Sequence, residues 1–309
     1  MYQTENSGNA GNGFEWPTWL VIITIYGTWF ALIEHYKSLP AWLVNPALVL
    51  IAAWHMSLQH ELLHGHPTHI KALNRLLGLF PMSAWYPYDI YRDSHLIHHR
   101  DEFLTTPGAD PECNYVHPEA YAQMNGLHRA VRWSMRTVLG RLLIGPGLTI
   151  PAVWSDIFKG HRQHGLASVR SWALHIALLA AMLWWVQSRS GIGPLHYLFG
   201  IAYPALGLAM LRSFYEHRPA ALPVQRIVIN HASWPWRLLY LNNNYHLVHH
   251  EQPGLPWYRI PDAYKRDRAG FLFRNGDFQT PGYGYLLWNY AFKPVDSPIH
   301  PGFGPKTPK

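Results

Sequence analysis

The sequence has few of the residues on which several common kinds of protein depend. Cys113 is its only cysteine, so no disulfide can form within the chain and cysteine-based zinc or iron–sulfur sites are excluded. Charged residues make up 14%, against about 25% in soluble domains. Lys and Arg do not form runs, which argues against nucleic acid as a partner. Residues 1–16 contain no Lys or Arg, so we expect no signal peptide with a basic start.

Long apolar stretches are abundant instead. Each of four stretches is about 20 residues long, the length that crosses a hydrocarbon core of about 30 Å. Short links join them in pairs, so the pattern predicts an all-α fold with a four-span transmembrane stem built from two helical hairpins. We expect a flexible tail over 1–16, followed by a single membrane domain over 17–309. Its spans are predicted at 17–36, 41–59, 171–188 and 194–211, and a helical cap at 60–170 and 212–309.

Basic residues predict the orientation of such a stem. The two short links between paired spans contain only Lys37 and Arg189, whereas the chain has 25 Lys and Arg residues in all. Positive charge concentrates on the cytoplasmic side of membrane proteins, so the cap and both termini are expected in the cytoplasm. The net charge of +7 also suits a surface that faces anionic lipid. The predicted location is a bacterial inner membrane.

Histidine occurs in three clusters, all in the predicted cap. HELLH covers 60–64, HLIHH covers 95–99 and HLVHH covers 246–250. Histidine is 21 of 309 residues, so about 0.1 chance copies of the spacing H-x-x-H-H are expected in a chain of this length. Coincidence therefore does not explain two copies.

The spacing of the clusters predicts metal binding. Histidines three or four residues apart share one side of a helix, so each cluster directs its rings to one place. Imidazole is a ligand of iron, copper, zinc and nickel, while calcium and magnesium prefer oxygen. Eight ligands exceed the needs of one ion, so two transition-metal ions are the economical solution. Beside a membrane, such a pair indicates O2 activation against an apolar substrate.

The three clusters, in this order and spacing, resemble the histidine boxes of the integral-membrane fatty acid desaturase and hydroxylase superfamily. The resemblance covers 60–250 and implies a centre of two non-haem iron ions on the cytoplasmic face, with O2 as co-substrate. The family often has one further histidine after the fourth span, and RSFYEHR places His217 there. The implied metal ligands are His60, His64, His95, His98, His99, His217, His246, His249 and His250.

Polar residues near the boxes are expected to orient these ligands. A ligating histidine normally donates its second ring N–H to a carboxylate or carbonyl oxygen. Asp93, Glu216 and Asn243 are the preferred candidates for this role. His66 and His69 follow the first box closely and are interpreted as supporting or surface residues. The loop HHRDEFLTTPGADPE, which begins at His98, is similar in placement to a loop of the same broad group.

The resemblance implies an oxidoreductase that desaturates a long-chain fatty acyl substrate. A hydroxylase or ketolase of a carotenoid, a terpenoid or another lipid is the alternative on the same centre. The chain has no HPGG haem motif, so a separate electron donor, such as a ferredoxin-type protein, is expected.

Two further alternatives have less support from the sequence. A non-catalytic metal carrier would place its ligands within the spans, whereas these clusters lie outside them. A soluble zinc hydrolase with Glu61 as base would match HELLH but would leave the other two clusters unexplained.

Overall fold

The protein is mostly helical, and the computed structural model describes residues 13–163 and 165–302. The α-helices are α1 (Trp16–Glu34), α2 (Ala41–Leu63), α3 (Lys71–Gly78), α4 (Tyr88–His98), α5 (Pro118–Ala122), α6 (Gly126–Ser134), α7 (Val138–Leu143), α8 (Gly145–Gln163), α9 (Gly165–Ser190), α10 (Tyr203–Arg212), α11 (Trp234–Leu239), α12 (His246–Glu251), α13 (Ile260–Arg266), α14 (Arg268–Arg274) and α15 (Tyr283–Tyr290). Short 3-10 helices cover Tyr36–Ser38, Asp101–Phe103 and Pro223–Arg226. Two strands, β1 (Ile229–Asn230) and β2 (Gln279–Thr280), pair in parallel.

Within the described residues, three helices are long and apolar enough to cross a membrane: α1, α2 and the part of α9 from Leu166 to Ser190. They coincide with the predicted helices over 17–36, 41–59 and 171–188, which are thereby confirmed as helices. Their outward faces are apolar as well, since Leu20, Ile23 and Leu43 are more than half exposed. A helix that is apolar on all sides is typical of membrane spans.

The predicted fourth span, 194–211, is helical but consists of two parts. A π-helix covers His196–Ala202, and α10 continues from Tyr203 to Arg212. Pro204 explains the change, because it has no N–H to donate to the carbonyl four residues earlier. Neither part alone has the length of a span, so the four-span arrangement stays a prediction.

The core of the stem lies between α1, α2 and the π-helix. Trp29 and Ile25 of α1 and Leu48 of α2 are fully buried there. Trp29 donates its indole N–H to the Tyr197 hydroxyl at 3.1 Å, and that hydroxyl donates to the Met82 carbonyl at 2.9 Å. These bonds connect the stem to the segment that leads into α4.

Several shorter helices pack on α2 and α10. Helices α3, α4 and α11 contact α2, and α7 and α8 contact α10. Helix α7 packs directly on α10, where the Leu142 carbonyl lies against Gly207. Residues 1–12 of the predicted tail lie outside the described residues. Glu15 is described, and its carboxylate contacts the His66 ring at 2.7 Å.

Candidate metal centre

The first box lies at the end of α2. His60 occupies the last turn and His64 is the C-terminal cap residue, so the two rings share one side of the helix with centroids 4.9 Å apart. Both Nε2 atoms are buried and, within residues 13–163 and 165–302, have no hydrogen-bond partner. A buried polar atom without a partner is costly, which indicates that a ligand belongs there.

The second and third boxes approach the first from other helices. His95 and His98 lie in α4, with His99 as its cap residue, and the third box begins α12. Asn242, at φ 56°, turns the chain before α12. The Leu247 N–H then donates to the Val228 carbonyl beside β1 at 3.2 Å and holds α12 in place.

The structure brings the nine predicted ligands together in two groups. We call them the five-histidine group and the four-histidine group. Within each group, one ring nitrogen from every histidine lies within 4.8 Å of those of the others. The five-histidine group is His60, His64, His95, His99 and His249, and the four-histidine group is His98, His217, His246 and His250.

Hydrogen-bond acceptors at Nδ1 determine the tautomers. In the five-histidine group, His95 Nδ1 lies 2.8 Å from a carboxylate oxygen of Glu112. In the four-histidine group, His98 Nδ1 lies 2.9 Å from a carboxylate oxygen of Asp110. Because these oxygens only accept, each Nδ1 must carry a proton and donate it. In a neutral ring Nε2 then has an exposed lone pair, as a metal ligand requires.

The same holds for two further rings of the four-histidine group. His217 Nδ1 faces the Arg226 carbonyl at 3.3 Å, and His246 Nδ1 faces the Asn243 amide oxygen at 3.2 Å. The Nε2 atoms of His217 and His246 are only 3.0 Å apart, and those of His217 and His98 are 3.1 Å apart. Facing lone pairs repel each other at this distance unless a cation lies between them.

These separations fit metal coordination. Two nitrogens that bind one ion at about 2.1 Å and at right angles lie about 3.0 Å apart. His99 Nε2 lies 3.0 Å from Nε2 of both His95 and His249, so the five-histidine group has the same spacing. The residues present therefore fit one transition-metal ion in each group.

Electrostatics keeps most of these rings neutral. Burial, followed by the neighbouring histidines, holds the pKa of His246, His249 and His250 well below the ordinary value. His98 differs, because burial alone would lower its pKa but Glu112 and Asp110 raise it to about 9. A proton on His98 Nε2 can lie between only two of the facing ring nitrogens. A bound cation would interact with the lone pairs of all the nitrogens in its group.

Of the predicted supporting residues, Asn243 lies beside a predicted ligand, with its amide oxygen 3.2 Å from His246 Nδ1. The Glu216 carboxylate lies 3.8 Å from His246 Nδ1 and pairs with Arg212 at 3.3 Å. Asp93 does not take the expected part, because its side chain is 62% exposed and pairs with Arg92. It lies on the outer side of α4, away from the rings.

Asp110 and Glu112, which accept from His98 and His95, were not among the predicted supporting residues. Both lie at the end of the stretch HHRDEFLTTPGADPE, in which Pro107 and Gly108 turn the chain back toward α4. Acidic residues in a turn shortly after a box are the signal that would have found them. His66 and His69 lie outside both groups, and His69 is exposed.

A cavity of about 1260 Å³ adjoins the four-histidine group. His217, Glu112 and Glu216 line one part of it, and apolar side chains line another. The apolar part is formed by α8 and α10, through Leu148, Ala152, Leu206, Ala209 and Met210. A site with histidine nitrogens and an apolar wall can hold a long hydrocarbon chain beside a metal.

Three described helices of membrane-spanning length, together with two buried histidine groups of which one lies at the end of α2, define a class of mostly helical membrane proteins with a candidate metal centre. The family model described as fatty acid desaturase matches residues 36–280, which include both groups. The chain belongs to the fatty acid desaturase family and is thereby an oxidoreductase of the membrane desaturase and hydroxylase type. No curated protein matches it.

Proposed function

We propose that the protein is a membrane-bound, O2-dependent oxidoreductase that desaturates a long-chain fatty acyl substrate. Two non-haem iron ions would be its cofactor, one in each histidine group. The observation that carries this proposal is the pair of buried groups whose nitrogens face one another at about 3 Å beside a cavity with one apolar wall.

The iron pair, when bound, would supply the reductive activation of O2 that attack on an unactivated C–H bond requires. The chain contributes the surroundings of that reaction. Asp110 and Glu112 fix the ring orientations of His98 and His95, and burial keeps the rings neutral and water away. The walls of α8 and α10 hold the hydrocarbon chain so that one carbon faces the centre.

Hydroxylation or ketolation of a lipid remains the alternative outcome on the same centre. Two hydrogens leave neighbouring carbons in desaturation, whereas an oxygen enters at one carbon in hydroxylation. The placement of a single substrate carbon decides between them, so the chemical analysis of the product distinguishes the two.

The proposed topology is a four-span stem with a cytoplasmic cap, in which the π-helix and α10 together form the fourth span. Residues 194–212 are continuously helical, and the links contain only Lys37 and Arg189 of the basic residues. An inner bacterial membrane would then hold the protein, with the centre and both termini in the cytoplasm. The net charge of +7 would favour an acidic, ferredoxin-type electron donor.

Metal analysis and lipid profiling together test the proposal. Purified wild-type protein is expected to hold about two irons per chain, and cells that express it with an electron donor should contain new unsaturated acyl chains. His249→Ala should lose both properties, because His249 belongs to the five-histidine group. His69→Ala is the matched control, since His69 is exposed and outside both groups, and it should behave as wild type.

Other outcomes have definite meanings. A hydroxylated lipid or pigment would replace desaturation by the alternative reaction. Zinc or copper at one ion per chain, with no new lipid product, would contradict the proposal and favour a non-catalytic metal-binding protein.

A further inference from the structure

Arg141 is a buried cation in the wall of the large cavity. It lies in α7, whose first turn is capped by the Thr137 hydroxyl, and it is only 2% exposed. Its Nη1 donates to the Asn114 side-chain oxygen. Its Nε and Nη2 are buried and, in the part of the chain that the structure describes, have no hydrogen-bond partner.

The charged groups near Arg141 already have partners of their own. Arg136 donates from Nε to Asp296 at 2.6 Å and from Nη2 to the Tyr115 hydroxyl at 2.9 Å. Glu216 pairs with Arg212 at 3.3 Å. Arg141 therefore stays a buried positive charge without an acidic partner among the described ion pairs. Arg132 also lines the cavity without such a partner, but it is exposed to solvent.

An uncompensated buried charge is costly to a fold, so its retention needs a reason. Burial lowers the pKa of Arg141 to about 9, which leaves the guanidinium charged at neutral pH. Its two unpaired donors, Nε and Nη2, lie on the same edge of the planar group. That edge is the one that binds two oxygens of an anion in parallel, as in arginine–carboxylate and arginine–phosphate pairs.

We propose that the Nε and Nη2 edge of Arg141 binds the monoanionic head group of the substrate, either a carboxylate or a phosphodiester. This assignment rests on the proposed function, which makes the cavity the substrate site. One uncompensated positive charge matches one negative charge, and the apolar wall of α8 and α10 accommodates the chain that follows the head group.

The opposite charges in the cavity set the direction of the bound molecule. Glu112 and Glu216 line the cavity beside the histidine groups, and both already have partners, His95 and Arg212, so that end offers less attraction to an anionic head group than Arg141 does. Arg141 attracts it, so the head group lies at α7 and the hydrocarbon chain extends toward His217. The charged head group is thus recognised at one end of the cavity, and the hydrocarbon chain lies beside the histidine groups at the other end.

The test measures binding to the purified full-length protein without O2 or reductant. The probes are dodecanoate, dilauroyl phosphatidylglycerol and, as the uncharged comparison, methyl dodecanoate. Wild type is expected to bind at least one of the two anions roughly ten- to a hundredfold more tightly than the ester. Arg141→Met should remove that preference and leave ester binding unchanged, while the matched control Arg266→Gln, on the exposed face of α13, should retain it.

The pattern of affinities identifies the head group. A preference for dodecanoate alone indicates a free acid, and one for phosphatidylglycerol alone indicates a phospholipid. Equal binding of anions and ester by wild type, or a preference that survives in Arg141→Met, would overturn the proposal.

Stability separates binding from a structural role. Ligand-free Arg141→Met should unfold at the same temperature as wild type or higher, because an unpaired buried charge has been removed. Arg141→Lys keeps the charge but not the two-donor edge, and should bind the anion with intermediate affinity. A lower unfolding temperature with intact anion preference would contradict the proposal. The binding test measures no turnover, so a negative binding result would not contradict the proposed oxidation. In the same way, the absence of a new lipid product would not contradict a measured preference for anions.

Discussion

Asp110 offers the most direct test of how the candidate centre is held together. One carboxylate oxygen accepts from His98 Nδ1 and from the Glu112 backbone N–H, both at 2.9 Å, and the other accepts from the Thr105 backbone N–H at 2.9 Å. In Asp110→Asn the side chain keeps its shape but turns an NH2 group toward at least one of these donors. At least one buried donor is thereby left without an acceptor.

The magnitude follows from these contacts. A hydrogen bond to a charged group contributes about 1.5–3 kcal/mol, so the loss of one such bond should destabilise the fold by about 1.5–3 kcal/mol, and the loss of two by up to about 6 kcal/mol. Replacement of a group that orients a metal-ligating histidine typically lowers metal affinity about ten- to a hundredfold. His98 belongs to the four-histidine group, so the loss should be largest there. A smaller loss is expected in the five-histidine group, because Asp110 also accepts from the backbone N–H of Glu112, the partner of His95.

The assay is iron content after dialysis against a series of chelator concentrations. Wild type should retain about two irons per chain at concentrations where Asp110→Asn retains about one. Asp93→Asn is the matched control, because Asp93 is exposed on α4, pairs with Arg92 and belongs to neither histidine group, and it should match wild type. Equal iron retention by Asp110→Asn and wild type across the series would refute the assignment of Asp110 to His98.

Three further predictions concern stability. Gly207→Ala places a Cβ about 2.3 Å from a backbone carbonyl of α7 and should lower the free energy of unfolding by about 1–3 kcal/mol. The control Gly27→Ala places a Cβ that meets no neighbour within 4 Å, so it should be neutral or stabilising. Chemical unfolding in detergent compares the two variants. Arg136→Met removes the ion pair of Asp296, which keeps only the Tyr115 hydroxyl as a described donor, and should cost about 2–3 kcal/mol, less than a fully buried pair because Asp296 is 24% exposed. Arg189→Gln breaks an exposed pair and should leave the stability close to that of wild type in the same measurement. Chelation of the bound metals should lower the unfolding temperature of wild type, because the facing histidine lone pairs then lose their cation, and no change on chelation would contradict a metal in either group.

Much of the helical framework could be predicted from the sequence because length and apolarity are local properties. The stretches over 17–36, 41–59 and 171–188 are long helices, as expected. The stretch over 194–211 shows the limit of this reasoning. Its composition predicts a helix, but Pro204 introduces a π-helical turn that a count of apolar residues does not detect.

The spacing of the histidines also allowed part of the candidate site to be predicted. Offsets of three and four residues place the rings of a box on one side of a helix, and the structure brings all nine rings into two groups. The acceptors of their Nδ1 atoms were less predictable. Asp93 precedes the second box in the sequence but lies on the outer side of α4, while Asp110 and Glu112 return to the box from a loop.

By itself, the sequence determined which segments form helices and which histidines share a helical side, because both depend on residues only a few positions apart. Only the tertiary structure decided how the rings divide into two groups, since His98 and His217 meet across 119 residues of chain. The same is true of Arg141, which is buried beside a cavity without an acidic partner in the described chain. Contacts of this kind depend on the packing of whole helices against one another, and no local pattern of residues records them.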